Sequence, residues 1–138
     1  MEMLINLDVD DLRKAIDFYS KACGLYVGRR FGNDGVEMLG AAAPIYLLLK
    51  PAGTSACAAT SQLRTYDRHW TPVHFDFVVE DIEAAVQAAL EAGARTESPI
   101  QSRKWGQLAP MADPFGHGFC FVQFLGRGYD EIAEPESG

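Results

Sequence analysis

Cysteine and histidine are scarce in this chain, three of each. Cys23, Cys57 and Cys120 are odd in number and fit no disulfide or zinc-motif spacing, so reduced thiols in a cytoplasmic protein are expected. No apolar run approaches the ~20 residues needed to span a bilayer. Met1-Glu2-Met3 leads straight into a strand-like run, with neither the basic region nor the cleavage site of a signal peptide. Basic residues are the minority, 12 against 19 acidic, for a formal net charge of −7. That balance argues against nucleic acid or an anionic membrane as partner. The apolar content of 48% is ordinary for a folded domain, and the length suits one domain or two half-domains sharing a core.

What is present is a repeat. Leu7-Asp8-Val9-Asp10-Asp11-Leu12 and Phe77-Val78-Val79-Glu80-Asp81-Ile82 lie about half the chain apart. Each precedes a helical pattern. Leu12, Ala15, Ile16 and Tyr19 recur at i, i+3, i+4, i+7, and so do Ile82, Ala85, Val86 and Ala89. Asp10 is positioned to cap the first helix. Gly24 and Gly93 stand where a helix ends in a left-handed residue. Before each helix the chain alternates as a strand. Ile5, Leu7 and Val9 share one face, with Leu4, Asn6 and Asp8 on the other. Phe75, Phe77 and Val79 oppose His74, Asp76 and Val78.

After the first helix, runs at 26–31 and 36–39 flank Gly32-Asn33-Asp34-Gly35, a hairpin turn, and Ile45 to Leu49 is a short strand. The second half repeats the order, with strands near Arg95, from Gly106 to Met111 and from Phe119 to Phe124. The expected organisation is a first βαβββ module at 1–50, a linker at 51–70 with a short helix near Ala58 to Leu63, a second module at 71–125, and an acidic tail at 126–138, mobile beyond its first few residues. The fold class is α+β. Two βαβββ modules form a cup-shaped curved sheet with the helices on its outer face, and a small molecule would sit in the cup.

The ordered motifs Val9-x-Asp11-Leu12, Phe18-Tyr19, Gly24-Leu25, His74-x-x-x-x-Val79-x-Asp81-Ile82, Ala92-Gly93-Ala94, Trp105-Gly106 and Asp113-Pro114-Phe115-Gly116-His117 resemble the vicinal oxygen chelate superfamily of glyoxalases, extradiol dioxygenases and bleomycin-resistance proteins. The resemblance implies a glyoxalase-like domain and a homodimer. It also implies metal ligands at four places, the start of the first strand and the last strand of each module. Those places hold Leu4, the Tyr46 region, His74 and Cys120. Leu4 cannot ligate, and a catalytic divalent ion wants about three protein ligands. No cofactor is therefore predicted; if a divalent metal binds, it uses His74 and Cys120.

His74 and Asp76 point the same way from one strand, as an imidazole and the carboxylate that orients it, and are the candidate catalytic pair. Asn6 and Asp8 occupy the matching face of the first strand. Tyr46, Trp105, Met111 and Cys120 are candidate ligand-binding residues, the aromatics as walls for a planar ligand. Each also has a structural reading: a polar cup floor, core, or dimer interface. His117 in its turn reads as structural, and His69 as a residue at the rim. The first function class is a metal-free protein that binds a small molecule in the cup. The alternative is a metal-dependent lyase or dioxygenase of the glyoxalase type with a non-standard site on His74. Fold does not choose between them.

Overall fold

A computed structural model of the protein describes residues 1–135. The first module contains strand β1 (Ile5–Val9), helix α1 (Leu12–Cys23), and strands β2 (Tyr26–Phe31), β3 (Gly35–Leu39) and β4 (Ile45–Leu49). The second contains β5 (Phe75–Val78), α2 (Ile82–Ala92), β6 (Arg95–Thr96), β7 (Gln101–Arg103), β8 (Gly106–Ala112) and β9 (Gly118–Phe124). The short β7 pairs with β8 through Gln101 to Arg103 and has no counterpart in the sequence reading.

Both helices begin at an aspartate. Asp11 accepts from the Lys14 backbone N–H and Asp81 from that of Ala84. Asp11, not Asp10, caps α1, because the capping carboxylate must reach the third helical N–H. Gly24 and Gly93 close the helices at φ 67° and 114°, backbone that a side chain would strain.

The sheets have matching topology, β1-β4-β3-β2 and β5-β9-β8-β6. In each, the strand before the helix pairs in parallel with the last strand, and the register makes the modules comparable. Asn6 faces Tyr46 as Asp76 faces Cys120, and Glu37 stands beside Tyr46 where Pro110 stands beside Cys120. Helices α1 and α2 pack together. One core runs through both modules, from Val9, Phe18, Met38 and Leu47 to Met111, Phe115, Phe119 and Phe121. At its centre the Tyr19 hydroxyl of the first module donates to buried Asp113 of the second at 2.5 Å.

The segment between modules carries no helix. It folds on itself through a bridge between Ser55 and Leu63 and is tied down at both ends. Arg64 pairs with Asp8 at 2.8 Å. Arg68 grips Glu97 through two bonds of 2.6 and 2.9 Å. The expected helix at 58–63 fails because this stretch lacks an apolar stripe to bury. After β9 a short 3₁₀ turn at Gly128–Glu131 lays Tyr129 against Trp105 and Phe124, with ring centroids 5.3 and 4.7 Å away. The tail's end, Glu136 to Gly138, lies outside the described residues. No helix among them is long and apolar enough to cross a membrane.

Candidate functional site

The non-core faces of β1 and β5 border a cavity of about 340 Å³ lined by Asn6, Asp8, His69, Thr71, His74, His117 and their neighbours. Alternation along the two strands produces it. Leu7 and Val9 are buried toward the helices, so Asn6 and Asp8 must face away from them. His74 leaves β5 on the corresponding side. The cavity continues past Asp8, His69, Thr71 and His117 into a trench of about 580 Å³ walled by Arg64, Tyr66 and Trp70. The sequence reading brings Asn6, Asp8 and His74 together here, as the structure does. It places His69, from the inter-module segment, at the rim, and it misses His117, which arrives from the β8–β9 turn and lines the cavity as well.

His117 is placed by the turn that holds it. One oxygen of Asp113 accepts the backbone N–H groups of Phe115 and His117 at 2.8 and 2.9 Å, and the other takes the Tyr19 hydroxyl. The His117 ring then reaches the Asp8 backbone oxygen at 2.8 Å. His69 packs edge-on against it at 5.4 Å between ring centroids, and its Nδ1 bonds the Asp67 carbonyl at 2.9 Å. The sequence did not show that these two rings meet, because the contact is between elements far apart in the chain.

His74 and Asp76 sit side by side, Nε2 to Oδ1 at 3.2 Å, and Cys120 faces Asp76 across the ladder. Donor atoms of all three lie within 4.8 Å of one another. Burial, and then the Asp76 charge, push the Cys120 thiol up to about 11. Cys120 borders a smaller hollow of about 130 Å³ with His74, Arg68 and Trp70, so it is half-open and not core.

On the equivalent face of the first module, Tyr46 donates to Glu37 at 2.8 Å and accepts from Arg29 at 3.0 Å. Glu37 also takes the Arg29 guanidinium at 2.7 Å and the Arg29 backbone N–H at 3.1 Å. These bonds, Arg29's first, hold its carboxyl down at about 2. The sequence signal for Glu37 was a lone acid in an apolar strand, on the face Tyr46 shares.

Two expected wall residues are elsewhere. Met111 is fully buried among Phe119 and its neighbours. Alternation puts it opposite Pro110, on the helix side, so it lines no cup. Trp105 stacks with Phe124 and Tyr129 at the β7–β8 turn, away from His74, because the returning tail supplies its partners.

A family model for the glyoxalase-like domain matches residues 4–122. The chain belongs to this family, within the vicinal oxygen chelate superfamily. An uncharacterized protein of Mycobacterium bovis is 37% identical over 123 residues, 86% of this glyoxalase-like chain and 80% of the relative. The anthracycline biosynthesis protein DnrV of Streptomyces peucetius is 31% identical over 132 residues, 94% of this chain but 43% of the relative. The chain thus spans less than half of DnrV. Among solved structures, the fosfomycin resistance protein FosX of Listeria monocytogenes superposes with a TM-score of 0.71 at 16% identity, covering 96% of this chain and 98% of that one.

Metal enzymes of this family bind a divalent ion through the four strand positions, and those residues do not fit it here. Leu4 has no donor atom and is exposed. The Tyr46 hydroxyl is already spent on Glu37 and Arg29. Only the second module's two positions remain, His74 and Cys120, with Asp76 beside them.

Proposed function

We propose that this glyoxalase-like protein binds a small organic molecule in the cleft between its two modules and does so without the family's four-ligand metal site. The observation that carries the reading is the cleft itself, where a cavity and its adjoining trench lie in the ordinary size range of ligand sites and are lined by polar side chains from β1, the inter-module segment, the residue before β5 and the β8–β9 turn. The kinship with an anthracycline biosynthesis protein supports a polycyclic secondary metabolite as the ligand class. In this reading the protein acts in the cytoplasm as a homodimer, and Tyr46 and Cys120 line the outer parts of the binding surface.

A thermal-shift screen of aromatic natural products tests it. A ligand held at one hundred times its Kd stabilises the fold by about 2.7 kcal/mol. Asn6→Trp, which fills the cavity from β1, abolishes that shift. Hits that stabilise Asn6→Trp as well as the parent protein would sink the cleft reading.

The convergence of His74, Asp76 and Cys120 within 4.8 Å favours a second reading, a glyoxalase-type lyase or dioxygenase on a non-standard metal site. An imidazole, a carboxylate and a thiol suit zinc or a neighbouring transition metal. Elemental analysis of the purified protein decides between the two. One equivalent of metal, lost in His74→Ala, would refute the metal-free reading.

A further inference from the structure

All three histidines of the chain line the one cavity of about 340 Å³. They come from three separate places, the inter-module segment, the residue before β5 and the β8–β9 turn. In two of the rings one nitrogen is hydrogen-bonded to the protein, His69 Nδ1 to the Asp67 carbonyl at 2.9 Å and His117 Nε2 to the Asp8 carbonyl at 2.8 Å, while His74 Nε2 lies 3.2 Å from the Asp76 carboxylate. A carbonyl or carboxylate oxygen only accepts, so the bonded nitrogen must carry the proton. With that proton in place, the ring's other nitrogen is the one left to accept from a ligand.

Thr71 behaves the same way. Its hydroxyl proton is spent on the Val73 carbonyl at 2.6 Å, which leaves only its acceptor capacity. Among the described residues, no lysine or arginine lines this cavity. The two guanidiniums beside it are both engaged, Arg64 by Asp8, Thr54 and the Ser55 and Ala56 carbonyls, and Arg68, which packs on Gly118, by Glu97 and the His69 carbonyl. Of the side chains on the wall, the Asn6 amide is the one that still brings N–H donors of its own.

From this we infer that the cleft selects a neutral, donor-rich ligand, an aromatic molecule carrying two or more free hydroxyl groups, and rejects anions. The aromatic part follows from the rings that border the opening. Trp70 is 80% exposed on the trench and Tyr66 stands beside it, both with faces on which a planar ligand stacks. This inference rests on the proposed cleft binding and adds the hydrogen-bonding character of what enters it.

Calorimetric titration with three probes tests it: the polyphenol catechin, its fully O-methylated ether, and naphthalene sulfonate. Catechin is expected to bind, the ether at least about tenfold more weakly because its oxygens no longer donate, and the sulfonate not at all. In His69→Phe and His117→Phe, which keep a ring and remove the acceptor, the preference for catechin over its ether shrinks. Equal binding of catechin and ether, or tighter binding of the sulfonate, with either signal lost in Asn6→Trp, overturns the donor inference and leaves cleft binding standing. A preference for catechin that is unchanged in both histidine variants also overturns it. If no probe binds and the natural-product screen yields nothing that Asn6→Trp abolishes, cleft binding fails and the inference with it.

Discussion

Replacing Tyr19 by phenylalanine removes one oxygen from the centre of the molecule. The ring stays in the core, where it is 2% exposed, but Asp113, at 1% exposed, loses the hydroxyl bonded to it at 2.5 Å. A hydrogen bond to a charged partner contributes about 1.5–3 kcal/mol, and a buried acceptor left short of one pays toward the upper end. With an unfolding entropy of roughly 2 cal/mol/K per residue, a loss of that size lowers the melting temperature by about 5–10 °C. Differential scanning calorimetry at pH 7 reads it directly. A drop under about 2 °C would show that the two backbone N–H groups satisfy Asp113 unaided, and that the bond between modules is not a latch.

The same bond has a pH signature. Burial, and then Asp113, raise the Tyr19 hydroxyl well above its usual 10, and burial raises Cys23 to about 12. Both groups are neutral when folded and ionise more readily when unfolded. Their stabilisation is complete below the unfolded values and is lost as pH rises past about 9 for the thiol and 10 for the phenol. Tyr19→Phe therefore shows a shallower alkaline limb above pH 10 than the parent, while retaining the earlier loss that belongs to Cys23.

Three further outcomes follow from other parts of the molecule. Glu37→Gln flattens the acid limb of stability: with its carboxyl held at about 2, Glu37 supports the fold above about 4.5, and that support is lost as pH falls toward 2, which melting curves from pH 6 to pH 2 record. Alkylation by iodoacetamide at pH 7.5, followed by mass spectrometry, labels exposed Cys57 well before Cys120 or Cys23, whose thiols lie at about 11 and 12; equal rates would contradict their placement. Gly116→Ala destabilises by about 1–3 kcal/mol in urea titrations, since Gly116 sits at φ 84° and an added Cβ would run into the Asp67 carbonyl, dislodging the segment that carries His69.

Local chemistry made most of the fold legible in the sequence. Gly24 and Gly93 as stops, the helical stripes and the alternation along 5–9 and 75–78 each depend on residues within a few positions, and the repeat doubles every such signal, whereas the cap of the first helix fell one residue later than expected, on Asp11 and not Asp10. The same alternation assigned Asn6, Asp8, His74 and Asp76 to the open faces of their strands. Where the local signal was weak, the reading failed: β7 is three residues long, and residues 51–70 have no apolar stripe.

Tertiary structure alone decided which side chains meet. His69 and His117 join His74 because Arg64 and Arg68 tie the connecting segment to both modules and Asp113 fixes the turn before β9. Glu37 sits against Tyr46 and Arg29 because β3 lies beside β4. Met111 faces the helices because the register of β8 gives Pro110 the opposite face, and Trp105 is covered because the chain returns after β9. The sequence by itself determined the strand–helix–strands order repeated in each half and the polarity of each strand's faces, since both rest on short-range periodicity. The makeup of the cleft waited on long-range packing, because the residues around it are brought together by contacts spanning most of the chain.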